Sequence, residues 1–230
     1  MSILKDFINL FFPRTCSICG RLLLGDEVEI CLHCLSDLPE ALSANAEENM
    51  VTRRLMGRIP VEAASALLIF KQGNSAQKVL HQIKYYGNER LANQMGIMMG
   101  EKLATSGLFD NVDIIIPVPL HPKKIRIRGY NPSLLLCRGI VKSFPKPICD
   151  NNLIRTRHTE TQTRKSREER LDNMQGVFAL RNPKELANKH ILLVDDVITT
   201  GATTEACWSA LKNIEGIKIS LASLAVSGDT

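Results

Sequence analysis

The feature that most constrains the fold is Ile191–Thr203, ILLVDDVITTGAT. Four β-rich apolar residues run into two adjacent carboxylates, then into a Thr/Gly-rich turn, and a helical pattern starts at Ala202. A buried strand that delivers such a turn to a helix N-terminus belongs to an α/β domain, where ligands sit at the carboxyl ends of parallel strands. The chemistry of the turn is specific. Backbone N–H groups at a helix start, hydroxyls from Thr199, Thr200 and Thr203, and close backbone approach at Gly201–Ala202 suit a phosphate. Asp195 and Asp196 cannot bind phosphate, but they can accept hydrogen bonds from two neighbouring sugar hydroxyls or face Mg2+. The lysine and spacing of a P-loop are missing.

The rest of the chain fits that frame. Ala63–Phe70 reads as a strand, and Ala76, Val79, Leu80 and Ile83 recur at helical spacing toward Tyr85. Glu89–Ala104 continues as a helix, and Val112–Leu120 is a buried strand running into a proline-stiffened loop. Pro132–Phe144 (helix), Ile148–Ile154 (short strand), His190–Val194 (strand), Ala202–Asn213 (helix) and Ile217–Val226 (strand) complete the alternation. Strands alternating with helices predict an α/β domain with a mainly parallel sheet covered on both faces. The 230 residues suffice for such a domain plus a small appendage, and 44 % hydrophobic with 23 % charged residues is ordinary globular composition.

The appendage is marked by cysteines. Cys16-x2-Cys19 and Cys31-x2-Cys34 form two knuckles, separated by eleven residues, GRLLLGDEVEI, in which Gly25 and Asp26 suit a turn. Four thiolates at this spacing predict a tetrahedral Zn2+ site. With four protein ligands no position is left for water, so the metal is expected to be structural. Disulfides are the competing reading, and His33 is a spare ligand. The polar run Glu47–Thr52 reads as a linker, giving a module over 1–50 and a larger domain over 51–230. Residues 1–50 carry 3 Lys and Arg against 8 Asp and Glu, which disfavours a phosphate-binding finger. The opening stretch places Ile3, Phe7 and Phe11 at helical spacing. It is too interrupted for a secretory signal and too short for a transmembrane span, so a cytoplasmic location is expected.

Net charge is only +5, yet His121–Arg170 holds 13 Lys and Arg against 4 Asp and Glu. Such a segment suits phosphates of a small molecule or of a nucleic acid, or else is a solvated face. Within PVPLHPKKIRIRGYN, Lys123, Lys124, Arg126 and Arg128 are placed to neutralise a pyrophosphate, Gly129 suits a tight turn, and Asn131 caps the next helix. Lys84 is a further candidate for phosphate contact. Arg155, Arg157 and Thr161-Gln162 through Arg167 extend the basic surface. His121 and His158 are candidate proton shuttles against an ordinary surface role. Tyr85, Tyr86 and Tyr130 are candidates for base stacking, with core packing the commoner use of a tyrosine.

ILLVDDVITTGAT resembles the 5-phosphoribosyl-1-pyrophosphate (PRPP) motif of the type I phosphoribosyltransferases. That resemblance implies that Asp195 and Asp196, the expected catalytic residues, bind the ribose 2′ and 3′ hydroxyls while Thr199–Thr203 cradle the 5-phosphate. Taken with the apolar start running into Cys16, with Ile83-Lys84-Tyr85, PVPLHP, RGYN and Thr161-Gln162 through Arg167 to Asn173, nearly the whole chain resembles the ComF family of competence-associated proteins, including GntX-like members. The resemblance implies a role in uptake or handling of transforming DNA. Pro132 departs from the glutamine that commonly follows RG[FY]N there; proline in the first turn of a helix is structurally benign. Three functions remain open: a Mg2+-dependent phosphoribosyltransferase, a single-stranded DNA-binding protein, and a zinc-stabilised scaffold for competence machinery proteins.

Overall fold

The computed structural model describes residues 13–41, 49–156 and 176–228. The expected N-terminal helix, with Ile3, Phe7 and Phe11, and the positions Arg157, His158, Thr161, Gln162, Arg167 and Asn173 lie outside these residues.

Four strands form a wholly parallel sheet: β1 (Val61–Phe70), β2 (Ile114–Pro117), β5 (His190–Ile198) and β6 (Lys218–Ser227), in the order β1-β6-β5-β2. Side chains alternate across a strand, so each strand feeds two cores. Leu192 and Val194 of β5 join Ile83, Leu91, Met95, Ile115 and Leu136 on one face. Ile191 and Leu193 join Leu55, Ile116, Cys207, Leu211 and Leu221 on the other. The first face carries α3 (Ser75–Tyr85), α4 (Glu89–Ser106) and α6 (Pro132–Ile140); the second carries α2 (Met50–Leu55) and α7 (Ala202–Leu211). Burial on both faces explains the near-continuous apolar runs of these strands.

The α4–α6 contact depends on glycine. A Cβ on Gly96 would lie 2.3 Å from the Leu136 carbonyl oxygen, and one on Gly139 would lie 2.4 Å from that of Asn93, so the helices meet backbone to backbone.

Several elements differ from the sequence expectation. Asn49–Thr52, the described part of the expected linker, opens α2 through a capping box: Asn49 Oδ1 accepts from the Val51 and Thr52 N–H groups, and Thr52 Oγ1 accepts from the Asn49 N–H. Pro122–Arg128, expected as loop, is helix α5; Pro122 stands in its first turn and His121 Nδ1 accepts from the Lys123 N–H. The segment Ile148–Ile154 is divided. Ile148 makes one parallel bridge to Ile115, whereas β3 (Leu153–Arg155) pairs antiparallel with β4 (Phe178–Leu180) in a separate two-stranded sheet. A 3-10 turn at Pro183–Leu186 leads into β5.

The cysteine segment packs on the first face, contributing Cys16, Leu23, Ile30, Cys31, Cys34 and Leu38 to its core. It includes the short helix α1 (Leu32–Ser36) and continues to Glu40, which bridges antiparallel to Leu68 of β1. Among the described residues no helix is long and apolar enough to cross a membrane.

Candidate functional site: a phosphate loop beside two carboxylates

Because the sheet is parallel, the carboxyl ends of β2 and β5 lie at one edge, and both lead into expected ligand segments. Asp195 and Asp196 still belong to β5, which runs on to Ile198 past the expected end at Val194, with Asp195 in register with Ser223. The two side chains have different surroundings. Asp195 Oδ1 accepts the Asp196 backbone N–H at 2.8 Å and lies 3.5 Å from Ser133 Oγ. Burial, and then the neighbouring Asp196 charge, push the Asp195 carboxyl from its ordinary 3.8 up to about 7. Asp196 pairs with Lys84 at 2.8 Å, Oδ1 to Nζ. Lys84 is thereby placed at the carboxylates, and it must leave Asp196 to reach a phosphate.

Past Ile198 the chain turns through Thr199, Thr200 and Gly201 into α7. Thr199 and Thr200 are exposed, Ala202 and Thr203 are half-buried, and Gly201 is buried. Gly201 is the N-cap of α7, with φ of 81° and no capping side chain. The Ala202 N–H makes only a long contact, 3.4 Å, to Thr200 Oγ1. The first turn of α7 therefore presents backbone donors at the positive end of the helix dipole. Gly201 is required twice over. Left-handed φ disfavours any side chain, and a Cβ there would come within 2.5 Å of Leu55 Cδ2.

Sequence reasoning missed the brace behind this loop. Arg54 donates to the carbonyls of Thr199 and Ser227, and Arg58 donates to that of Thr200 at 2.9 Å while pairing with Glu205 of α7 at 3.2 Å. With its carbonyls held by Arg54 of α2 and by Arg58 just beyond that helix, the loop is fixed from behind. No local spacing signals this, because the partners lie some 145 residues apart in the chain.

The basic segment divides by helix face. Lys124 and Arg128, one turn apart on α5, are half-buried, whereas Lys123 and Arg126 are exposed. Burial lowers the Lys124 ammonium below its ordinary range, and the nearby charges of Arg155, Arg128 and Lys84 lower it further against the opposing pull of Asp196. Lys124, Arg128, Arg155 and Lys84 are thus one cationic cluster facing the carboxylates, with Lys123 and Arg126 outside it. Gly129, at φ of 85°, ends α5, and Asn131 caps α6 by accepting from the Ser133 N–H at 3.1 Å, as expected. Pro132 fits the first turn of α6.

At the other end of the described chain, the four Sγ atoms of Cys16, Cys19, Cys31 and Cys34 lie within 4.8 Å of one another, and no disulfide joins them. Cys19 and Cys31 are 3.7 Å apart, close to the roughly 3.8 Å that two zinc–sulfur bonds of about 2.3 Å subtend in a tetrahedron. The N–H groups of Ile18 and Cys31 point at Cys16 Sγ, at 3.5 and 3.4 Å. Although burial opposes ionisation of Cys16, such backbone contacts outweigh it and lower the thiol to about 6. The cluster is compatible with a structural metal ion.

Residues 133–229 match the phosphoribosyl transferase domain family, a span that contains Asp195, Asp196 and the whole loop. Over 103 residues the chain is 36 % identical to Competence protein F of Haemophilus influenzae, covering 44 % of this chain and 45 % of that one. The chain is thus similar to competence-associated relatives and matches a phosphoribosyl transferase domain in its C-terminal part. DNA utilization protein YhgH of Escherichia coli K12 is another such relative, 33 % identical over 129 residues, or 54 % of this chain and 56 % of that protein. The chain thus matches these curated relatives over about half their length. Among solved structures, a purine phosphoribosyltransferase from Pyrococcus horikoshii superposes with a TM-score of 0.36 at 20 % identity, over 59 % of this chain and 73 % of that one. For the glutamine PRPP amidotransferase from B. subtilis the values are 0.39 and 15 %, over 62 % and 30 %. The parallel sheet flanked by helices is the type I phosphoribosyltransferase fold, with a four-cysteine cluster toward the N-terminus.

Proposed function

We propose that the chain binds PRPP or another phosphorylated ribose at the carboxyl edge of the sheet and does so in the cytoplasm in the service of DNA uptake. The observation that carries this reading is the uncapped N-terminus of α7 behind Gly201, set one strand-end away from Asp195 and Asp196. In this reading the 5-phosphate takes the N–H groups of Gly201, Ala202 and Thr203 and the hydroxyls of Thr199 and Thr200. The ribose 2′ and 3′ hydroxyls donate to Asp195 and Asp196. Lys84 exchanges its carboxylate for the pyrophosphate, beside Lys124, Arg128 and Arg155, with the outer Lys123 and Arg126 adding long-range attraction. Mg2+ arriving with PRPP would offset the charge of the pyrophosphate, and the paired carboxylates and ligand oxygens are the hard donors it takes. Zn2+ is the metal proposed for the four cysteines, in a structural role.

Transfer, where an acceptor is present, breaks the bond from the anomeric carbon to pyrophosphate and forms one to the acceptor atom. The chain's part is to fix the ribose through the two carboxylates and to receive the leaving charge on the cationic cluster. The reading is supported by the domain match and by relatives named for competence and DNA utilization. Thermal melting with ribose 5-phosphate, with PRPP, and with PRPP plus Mg2+ tests it. Stabilisation that grows along that series supports it, and equal melting in all three and in buffer rejects it.

A further inference from the structure

A trans peptide carries its C=O and its N–H on opposite sides, so a donor that fixes the carbonyl also fixes where the next residue's N–H points. Two peptides of the phosphate loop are held in this way. Arg58 donates to the Thr200 carbonyl at 2.9 Å, and Arg54 donates to the Thr199 carbonyl while its other terminal nitrogen takes the Ser227 carbonyl at the end of β6. Both guanidiniums reach the loop from the α2 side, so the N–H groups of Gly201 and Thr200 point the opposite way. Neither N–H has an acceptor among the described residues. Arg58 is itself held, donating also to the Arg54 carbonyl and pairing through Nη1 with Glu205 at 3.2 Å. Glu205 stands in the first turn of α7, where its charge alone would oppose an incoming phosphate. Anchoring α2 does not require these contacts. Val51 and Leu55 are buried in the second core, and Asn49 Nδ2 donates to the Ala64 carbonyl at 2.7 Å.

We propose that Arg54 and Arg58 are positioning residues for the 5-phosphate, aiming the N–H groups of Thr200 and Gly201 into the cradle before any ligand arrives. Those two donors then join the N–H groups of Ala202 and Thr203 in the first turn of α7, a set that suits the three free oxygens of a terminal phosphate. Donors oriented in advance cost no reorganisation when the ligand binds, so the brace acts on affinity although neither arginine touches the phosphate. The guanidinium is the group this task needs. Its planar fork lets Arg54 hold two carbonyls from separate segments, Thr199 and Ser227, in one geometry, which a flexible ammonium does not do. Arg58 has a second effect, because it offsets the Glu205 charge beside the same helix start. The inference rests on reading this loop as the ribose-phosphate site.

The test is titration of ribose 5-phosphate into the full zinc-loaded chain, read by calorimetry and by nitrogen-15 NMR of the loop amides. The variants are Arg54→Gln, Arg58→Gln and Arg58→Gln/Glu205→Gln, with thermal melting reporting their folding. In the parent, the Thr200 and Gly201 amide protons are expected to move downfield as the phosphate binds. Each single variant should lose about ten-fold in affinity, the scale of one hydrogen bond to a charged group. The Thr200 shift should vanish in Arg54→Gln and the Gly201 shift in Arg58→Gln. Removing the Glu205 charge should leave Arg58→Gln weak. Parent affinity in either single variant overturns the proposal, as does recovery of parent affinity in the double variant, which assigns the loss to Glu205 alone. Whatever the folding of the variants, a parent that binds ribose 5-phosphate without moving those two amide protons overturns it too, and leaves the ribose site standing. A folded parent that binds no ribose 5-phosphate is a separate result, which rejects the ribose site and the role of the brace with it.

Discussion

Asp195 makes the stability of this protein depend on pH in a direction opposite to that of most carboxylates. Its carboxyl is raised from 3.8 to about 7 by burial and by Asp196, so between those values the native state holds a proton that the unfolded chain has released. Stability from this group is complete below 3.8 and is lost as the pH rises through about 7. Each pKa unit corresponds to about 1.4 kcal/mol, and integration from about pH 5 to pH 8 gives about 2–3 kcal/mol. Asp195 keeps some exposure at the strand end, which reduces the expected loss to about 1–2 kcal/mol. Asp195→Asn removes the titration while keeping an oxygen to accept from the Asp196 N–H and Ser133 Oγ. Urea unfolding of parent and variant across this range should give curves that converge toward acid, with the variant more stable at pH 8. Parallel curves, or a variant that is less stable at pH 8, would refute the assignment of a buried, charge-opposed carboxyl.

Gly139→Ala forces a methyl against the Asn93 carbonyl and Gly96 Cα, at 2.4 and 2.8 Å, and should destabilise the fold by about 2–3 kcal/mol in chemical denaturation. Gly201→Ala should lower stability by about 1–2 kcal/mol from its left-handed backbone alone. Adding Leu55→Ala removes the side-chain clash but leaves that strain, so the double variant should not recover PRPP binding in a titration. Metal analysis should find zinc near one equivalent per chain, and chelation should lower the melting temperature and make the four clustered thiols alkylatable. A metal-free protein with unchanged melting would reject the structural zinc.

How much was legible in the sequence depended on whether the cause was local. The strand, acidic pair, turn and helix of Ile191–Leu211 announce themselves because each step uses neighbouring residues: apolar periodicity, an obligatory glycine and a helix start. The cysteine cluster was legible for the same reason. Helix α5 was missed although its signals were present, Pro122 in the first turn and His121 as cap, because the run of cations masked the periodicity. The described part of the expected linker proved to open a helix through Asn49 and Thr52, which read as polar punctuation until their side chains are seen to satisfy the helix start. Arg54 and Arg58 could not be found, since their value arises only when α2 packs behind a loop far along the chain. Composition likewise could not separate Lys124 and Arg128 from Lys123 and Arg126. That distinction is a helix face, visible once α5 is known to be a helix. Tyrosine use is a matter of exposure, which the sequence leaves open between core packing at Tyr130 and display at Tyr85 and Tyr86.

The central claim is that this edge holds a phosphorylated ribose, and calorimetric titration of PRPP with Mg2+ into the zinc-loaded protein tests it most directly, beside Asp195→Asn/Asp196→Asn. The account predicts saturable binding by the parent that the folded variant loses. Absence of heat and of binding in a folded parent, or equal binding by the variant, would contradict it.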